Sequence, residues 1–117
     1  MESILITTKK LSGLSGDYDY FDIDIIMYIN SVFLDLKQLG VGPVEGFVIT
    51  DEDASWMEFL PDNAVLREAT KAYMAAKVRL KFDPPSNSTH MEALKRSIDE
   101  YEFRANVEVT ANKNKEG

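Results

Sequence analysis

The sequence predicts an all-α fold: a small bundle of three long helices and one or two short ones, with a short extended segment or loop near residues 40–61. Apolar residues recur every three or four positions over three long stretches, which is the spacing of one helix face. Proline and glycine interrupt the chain between these stretches. At 117 residues the chain has the length of one domain. We place this domain at 1–109 and expect a flexible, apolar-poor tail at 110–117.

A short first helix is predicted over residues 3–14. Ser3 can cap its start and Gly13 can end it. Four residues share one face of it at helical spacing and are expected in the core: Ile4, Leu5, Thr8 and Leu11. The polar and acidic residues 15–20 form a loop.

The second helix, over residues 22–39, has the most regular pattern of the chain. Gly40 stands where a left-handed residue commonly ends a helix, and Lys37 lies in the last turn, where a cation suits the helix dipole. The predicted core face is wide and consists of Ile25, Ile26, Ile29, Val32, Phe33, Leu36 and Leu39.

Residues 40–61 change character. A β-prone run at 47–50 is too short to be more than an extended segment or a hairpin arm. Trp56, Phe59 and Leu60 indicate one or two helical turns that pin this loop to the core. The acidic triplet at 51–53 is interpreted as the start of those turns, because it lacks the alternating ligands and the glycine of a calcium loop.

The third long helix is predicted from about residue 63 to residue 82, with Asp62 as its N-cap. Its apolar stripe is read as Val65, Leu66, Ala69, Ala72, Tyr73, Ala76 and Leu80. The alanines make this helix thin, so that another helix can approach it closely.

Two consecutive prolines, Pro84 and Pro85, end this helix, since a proline removes a backbone donor and clashes with the preceding turn. They also push Asp83 towards an extended backbone. A fourth helix follows from about residue 88, and the spacing of Thr89 and Glu92 matches a capping box. Its narrow seam consists of Met91, Leu94, Ile98, Tyr101 and Ala105.

The residues with catalytic or metal-binding potential are few. His90 is the only histidine and there is no cysteine, so no catalytic triad, thiolate metal site or disulfide framework can be assembled from the sequence. No phosphate-binding glycine loop is present, and aspartates interrupt the longest apolar stretch. We therefore expect no enzyme, no cofactor, no metal and no membrane span.

The net charge of −7 is unevenly distributed. Residues 1–60 hold three basic and eleven acidic side chains, whereas residues 61–117 hold ten and nine. Basic residues flank the proline corner at 77, 79, 81, 95, 96 and 104. Nearby acids offset them, so ion pairing within or between subunits is favoured over a nucleic-acid patch.

The corner and its surroundings resemble the head–tail connector proteins of tailed bacteriophages, the adaptor subunits that ring the portal. The resemblance rests on an ordered set of segments spanning residues 2 to 106. They are residues 21–26 (Phe-Asp-Ile-Asp-Ile-Ile), 29–33, 38–43, the corner at 77–85, and 100–104 (Glu-Tyr-Glu-Phe-Arg). The family pattern has a tryptophan and a leucine where this chain has Phe103 and Ala105, so looser packing is expected there.

The resemblance implies a structural virion protein. It would form a homo-oligomeric ring, expected to be dodecameric, between the portal protein and a downstream tail-completion protein. In the virion of a phage or prophage the ring would lie at the head–tail junction. During assembly the protein would be in the host cytoplasm. DNA would pass through the lumen without sequence-specific binding. The candidate interface residues at the corner and on the fourth helix are Arg79, Phe82, Asp83, Pro84, Pro85 and Arg104.

A second hypothesis stays open at this point. A small acidic helical protein can be a DNA mimic or a regulatory binding module that blocks a host nucleic-acid-binding protein. Such a module would space carboxylates like phosphates along one face and bind its basic target as a monomer or dimer.

Overall fold

The computed structural model describes the backbone of residues 1–116 and the side chains of residues 1–107. It confirms the all-α fold. The helices are α1 (Ile4–Leu11), α2 (Asp22–Leu39), α3 (Trp56–Phe59), α4 (Ala64–Phe82) and α5 (Ser88–Glu116). Within the described chain, pairing of the β type is limited to one isolated bridge between Ser3 and Ser55. None of the helices described is both long and apolar enough to cross a bilayer.

The start of α1 and both ends of α2 follow the sequence prediction, whereas α1 ends at Leu11, three residues before its predicted end. The Ser3 side chain accepts a hydrogen bond from the Ile6 backbone N–H and caps α1. After α2, Gly40 adopts a left-handed backbone with φ of 83°, and the Val41 N–H donates to the Leu36 carbonyl over 2.9 Å. This arrangement satisfies carbonyls that the last helical turn leaves unpaired.

The capping residues of α4 and α5 differ from the prediction by one and two residues, whereas α5 begins at Ser88, within the predicted range. Asn63, not Asp62, caps α4, and its Oδ1 accepts from the Leu66 N–H over 3.0 Å. Asn87, not Thr89, caps α5, and its Oδ1 accepts from the N–H groups of Thr89 and His90. Asparagine caps a helix as well as aspartate or threonine does, so residue type alone did not distinguish these neighbouring candidates.

The loop between α2 and α4 is held by side-chain bonds rather than by a strand partner. The Asn30 amide donates to the Ile49 carbonyl over 3.0 Å and accepts from the Ile49 N–H over 2.8 Å. The prediction of an extended segment is thereby confirmed. The acidic triplet was wrongly assigned as a helix start, because Ser55 and Glu58 form the capping box of α3.

The core lies where α2 meets α4, with α1, α3 and α5 closing its edges. Phe33 of α2 is 1% exposed and lies at the centre of an aromatic cluster. Its ring centroid is 4.7 Å from that of Phe59, 5.2 Å from that of Phe47 and 6.3 Å from that of Trp56. The predicted core positions Ile25, Ile29, Val32, Phe33 and Leu36 of α2 are all buried.

The molecule is a flat slab of 47 × 35 × 20 Å. Its shortest dimension is about two helix diameters, each about 10 Å. Because α2 and α4 pack on each other and contribute their buried faces to one core, their exposed faces point to opposite sides of the slab.

Part of the predicted core lies on the surface. Val65, Ala69 and Ala72 of α4 are exposed, and so is Leu11 of α1. The core side of α4 instead carries Thr70, Met74 and Val78, about half a turn away. Tyr73 and Ala76 of the predicted stripe are buried, and Leu66 and Leu80 are partly buried against the core. The predicted side of α4 therefore overlaps the core side, and only its outer residues were wrongly assigned.

The tail predicted at 110–117 falls on residues whose side chains lie outside the described part of the chain. The α5 backbone continues to Glu116. The mobility of the tail therefore stays a prediction.

Candidate subunit interface

The proline corner joins α4 to α5 as a short, closed turn. Asp83 ends α4 with φ of −149° and ψ of 69°, and its N–H donates to the Arg79 carbonyl over 2.9 Å. Pro84 is exposed and Pro85 is partly buried. The backbone of Asp83 thus leaves the helical region before the prolines, but its ψ falls short of the extended range that was predicted. Two fixed proline φ angles follow it.

An aromatic cluster anchors this corner to the start of α2. The ring of Phe82 packs edge-on against Phe21 with centroids 5.0 Å apart, and Tyr28 lies 6.4 Å away. Phe21 also contacts Tyr20 and Tyr18 from the acidic loop. The end of α4 is thus held by apolar contacts, and Phe82 serves the subunit's own packing before any partner contact.

The basic residues near the corner divide into two groups. Lys77 pairs with Asp35 at 3.2 Å and with Glu102 at 3.7 Å, so the predicted ion pairing is confirmed for this residue. Arg79 and Arg104 are both exposed and form no ion pair with any residue whose side chain the structure describes. Among the side chains that the structure describes, neither guanidinium group has an acidic partner.

Arg104 borders an apolar groove between α4 and α5. The groove has a volume of about 400 Å³, and the exposed alanines of α4 form its floor. Its lining includes Val65, Ala69, Ala72, Ser97, Tyr101 and Arg104. Ala105 also lines the groove. Alanine is smaller than the leucine of the family pattern at this position, and looser packing was predicted there for that reason.

A second, smaller groove continues the first along α4. It lies between α1 and α5, and Leu11, Arg79 and Leu94 are among its lining residues. Ala72 and Ser97 line both grooves. The structure therefore brings Arg79 and Arg104 to the two ends of one continuous surface, which we call the α4–α5 groove. Asp83 and Pro84 lie beyond its Arg79 end.

Hydrogen bonds set the spacing of α4 and α5 beneath the groove. The rings of Tyr73 and Tyr101 stack with centroids 4.1 Å apart, and the Tyr101 hydroxyl lies 2.7 Å from the Thr70 hydroxyl. Tyr73 donates to Glu102 over 2.7 Å. Burial, and then this bond to a carboxylate, raise the pKa of the Tyr73 hydroxyl well above its usual range. The groove walls are consequently rigid.

The opposite face of the slab carries a different apolar surface. Ile23, Met27 and Leu34 of α2 are 79%, 64% and 57% exposed and recur along the side that faces away from α4. Tyr20, just before α2, is exposed beside them, and Asp19 and Asp24 are exposed at the same end. We call Tyr20, Ile23, Met27 and Leu34 the α2 stripe.

The side chains described contain no group of three or more histidine, cysteine, aspartate or glutamate residues that could hold a metal ion. The acidic triplet at 51–53 is used locally, where the Asp51 side chain accepts from the Asp53 N–H over 2.9 Å. His90 is exposed in the first turn of α5.

The family model of the phage connector protein matches residues 4–112 of the chain. The match covers nearly the whole chain. The chain belongs to the phage connector protein family.

This connector is thus a structural phage protein and a virion component, of a kind that is not enzymatic. It interacts with other phage head or tail proteins. Neither a search of curated proteins nor a search of solved structures finds a match.

Sequence reasoning missed one buried ion pair in the connector. Lys9 is 2% exposed, and its Nζ donates to Asp22 Oδ1 over 2.8 Å and to the Gly16 carbonyl over 3.2 Å. These bonds fix the loop that carries Tyr18 and Tyr20. The signal available in the sequence was a lysine on the apolar side of α1, one residue after Thr8.

Proposed function

We propose that this connector assembles into a ring on the portal vertex of a phage head and joins the head to the tail. Family membership over residues 4–112 supports a structural role in the virion. The ring extends the channel through which DNA leaves the head. Its neighbours along the channel axis are the portal protein on one side and a tail-completion protein on the other.

The observation that carries the ring is the pair of unlike surfaces on opposite sides of the slab. A ring closes through a heterologous interface, in which each subunit offers one patch to the neighbour on its left and a different patch to the neighbour on its right. The α2 stripe and the α4–α5 groove are two such patches. Monomeric proteins seldom leave several large apolar side chains together in solvent, and Val65 is 84% exposed while Ile23 is 79% exposed.

The charge of the chain suits a channel through which DNA slides. Phosphate affinity comes from lysine and arginine, and this chain carries thirteen of these against twenty acidic residues. A ring of such subunits repels the DNA backbone on average. DNA therefore passes without sequence-specific binding, and we expect twelve subunits, the ring size that the family resemblance implies.

The corner is proposed as the contact with an axial partner. Asp83 and Pro84 are exposed at one end of the α4–α5 hairpin, and Phe82 fixes that end to α2. A rigid, exposed corner can dock on the portal or on the tail protein with little loss of conformational entropy.

Deletion of the gene in the phage or prophage that encodes the chain tests this role. The proposal predicts DNA-filled heads and free tails that accumulate separately, and full virions when the chain is supplied in trans. Normal virions from the deletion strain would contradict the proposal. If the chain instead co-purifies with a host nucleic-acid-binding protein and virions form without it, the DNA-mimic hypothesis replaces the connector role.

A further inference from the structure

We infer that neighbouring subunits of the ring contact each other by seating the α2 stripe of one copy in the α4–α5 groove of the next. This inference rests on the proposed function, because it assigns the two surfaces that the ring requires. The occupant of the groove is a second copy of this chain.

The two surfaces match in size and shape. Along a helix that rises about 1.5 Å per residue, Ile23 to Leu34 spans about 16 Å and Val65 to Arg79 spans about 21 Å. The stripe therefore fits within the length of the groove. It presents large side chains, whereas the groove floor is made of Ala69 and Ala72, and small residues let a neighbouring helix approach closely.

Their charges are also complementary. Asp19 and Asp24 are exposed at the N-terminal end of the stripe. Arg79 and Arg104 stand at the two ends of the groove and form no ion pair with any described side chain. Glu100 also lines the groove, on the α5 side, so the lining carries two positive charges and one negative charge. The acidic residues of the stripe and the arginines of the groove favour the contact of these two unlike surfaces and disfavour the contact of two like surfaces.

The location of the two surfaces on opposite faces of the slab makes the contact repeatable. A copy that offers its stripe to one neighbour keeps its groove free for the next. The interface is therefore heterologous and propagates from subunit to subunit until the ring closes.

Two single variants test this directionality. Ile23→Arg places a charge in the α2 stripe, and Ala72→Arg fills the α4–α5 groove. Because both positions are exposed, each variant should fold like the parent chain. Multi-angle light scattering should give a monomer for each variant alone. An equimolar mixture should give a complex of two copies and nothing larger, because one intact stripe meets one intact groove. The matched control is Val44→Arg, at a 90% exposed apolar residue of the loop, which should assemble like the parent chain.

Cysteine cross-linking repeats the test on portal-bearing heads, where the natural chain offers no competing thiol. The double variant Met27→Cys/Ala72→Cys should give a ladder of covalent multimers with a short bismaleimide, and each single variant should stop at dimers or monomers. As the control pair, Met27→Cys with Val44→Cys should give no ladder.

The two levels of failure are distinguishable. If the parent chain forms rings and either arginine variant assembles equally well, or the mixture stays monomeric, the assignment of these surfaces is wrong and the connector role stands. If the parent chain forms no ring in solution or on portal-bearing heads, both the ring and its interface are wrong.

Discussion

Replacing Phe33 with alanine tests the packing on which the described fold depends. Phe33 is 1% exposed and contacts the rings of Phe47, Trp56 and Phe59, so its removal leaves a cavity lined by rigid aromatic side chains that cannot collapse into it. Buried Phe→Ala substitutions cost about 3–5 kcal/mol. Alanine's better helix propensity returns only about 0.5 kcal/mol.

This loss is large against the total stability of an ordinary domain, about 5–15 kcal/mol. For a chain of this length it lowers the melting temperature by roughly 10–25 °C. The assay is urea unfolding, followed by helical circular dichroism and by the fluorescence of Trp56, the single tryptophan of the chain, whose ring lies 6.3 Å from that of Phe33. The denaturant slope should not change, because the same surface is exposed on unfolding.

Two further variants make the Phe33 experiment decisive. Leu34→Ala changes the adjacent but 57% exposed residue and should alter the free energy of unfolding by less than about 0.5 kcal/mol. Phe33→Leu keeps most of the volume and should cost about 1–2 kcal/mol, which provides a measurable protein even if the alanine variant does not fold. A cooperatively unfolding Phe33→Ala protein with the parent's midpoint would refute the core assignment of α2.

Three other predictions follow from the corner, the tail and the α4–α5 contact. Replacing both Pro84 and Pro85 with alanine should lower the free energy of unfolding by only about 1–2 kcal/mol, mainly because the unfolded chain gains conformational entropy. The variant should nevertheless attach poorly to portal-bearing heads, as scored by electron microscopy. Normal attachment would show that the corner only links the two helices. Truncation after Thr110 should leave the melting temperature unchanged, and a clear decrease would show that the tail packs on the domain. Because Tyr73 has a raised pKa, the folded state keeps its proton longer than the unfolded state does, so stability should fall as pH rises above about 10. Tyr73→Phe should weaken that fall relative to the parent, and an identical pH profile would contradict the assignment.

The predictable part of this fold came from local signals. The bounds of α2 were predicted to the residue, because a regular apolar face coincides with Gly40, and only a residue tolerant of positive φ ends a helix in this way. The double proline located the end of α4 for a similar reason. Both signals act within one or two turns of backbone and need no knowledge of tertiary structure.

The part of the fold that could not be predicted depended on which helices pack against each other. Asp62 and Asn63 are adjacent residues that cap equally well, so the sequence cannot distinguish them. Ala69 and Ala72 of α4 were wrongly assigned to the core, because alanine is apolar enough for a core and small enough for a surface groove. The buried Lys9–Asp22 pair required α1 and α2 to be placed side by side first. For the same reason the continuity of the groove from Arg79 to Arg104 became visible only in three dimensions.

Direct location of the chain in the virion tests the central claim. A small rigid domain fused at Met1, which is 94% exposed, can be followed by cryo-electron microscopy of virions assembled with the fusion protein. We expect one extra density per subunit, arranged as a closed ring between the portal and the tail. Extra density on the capsid shell or the tail shaft, or virions that contain none of the chain, would contradict the account.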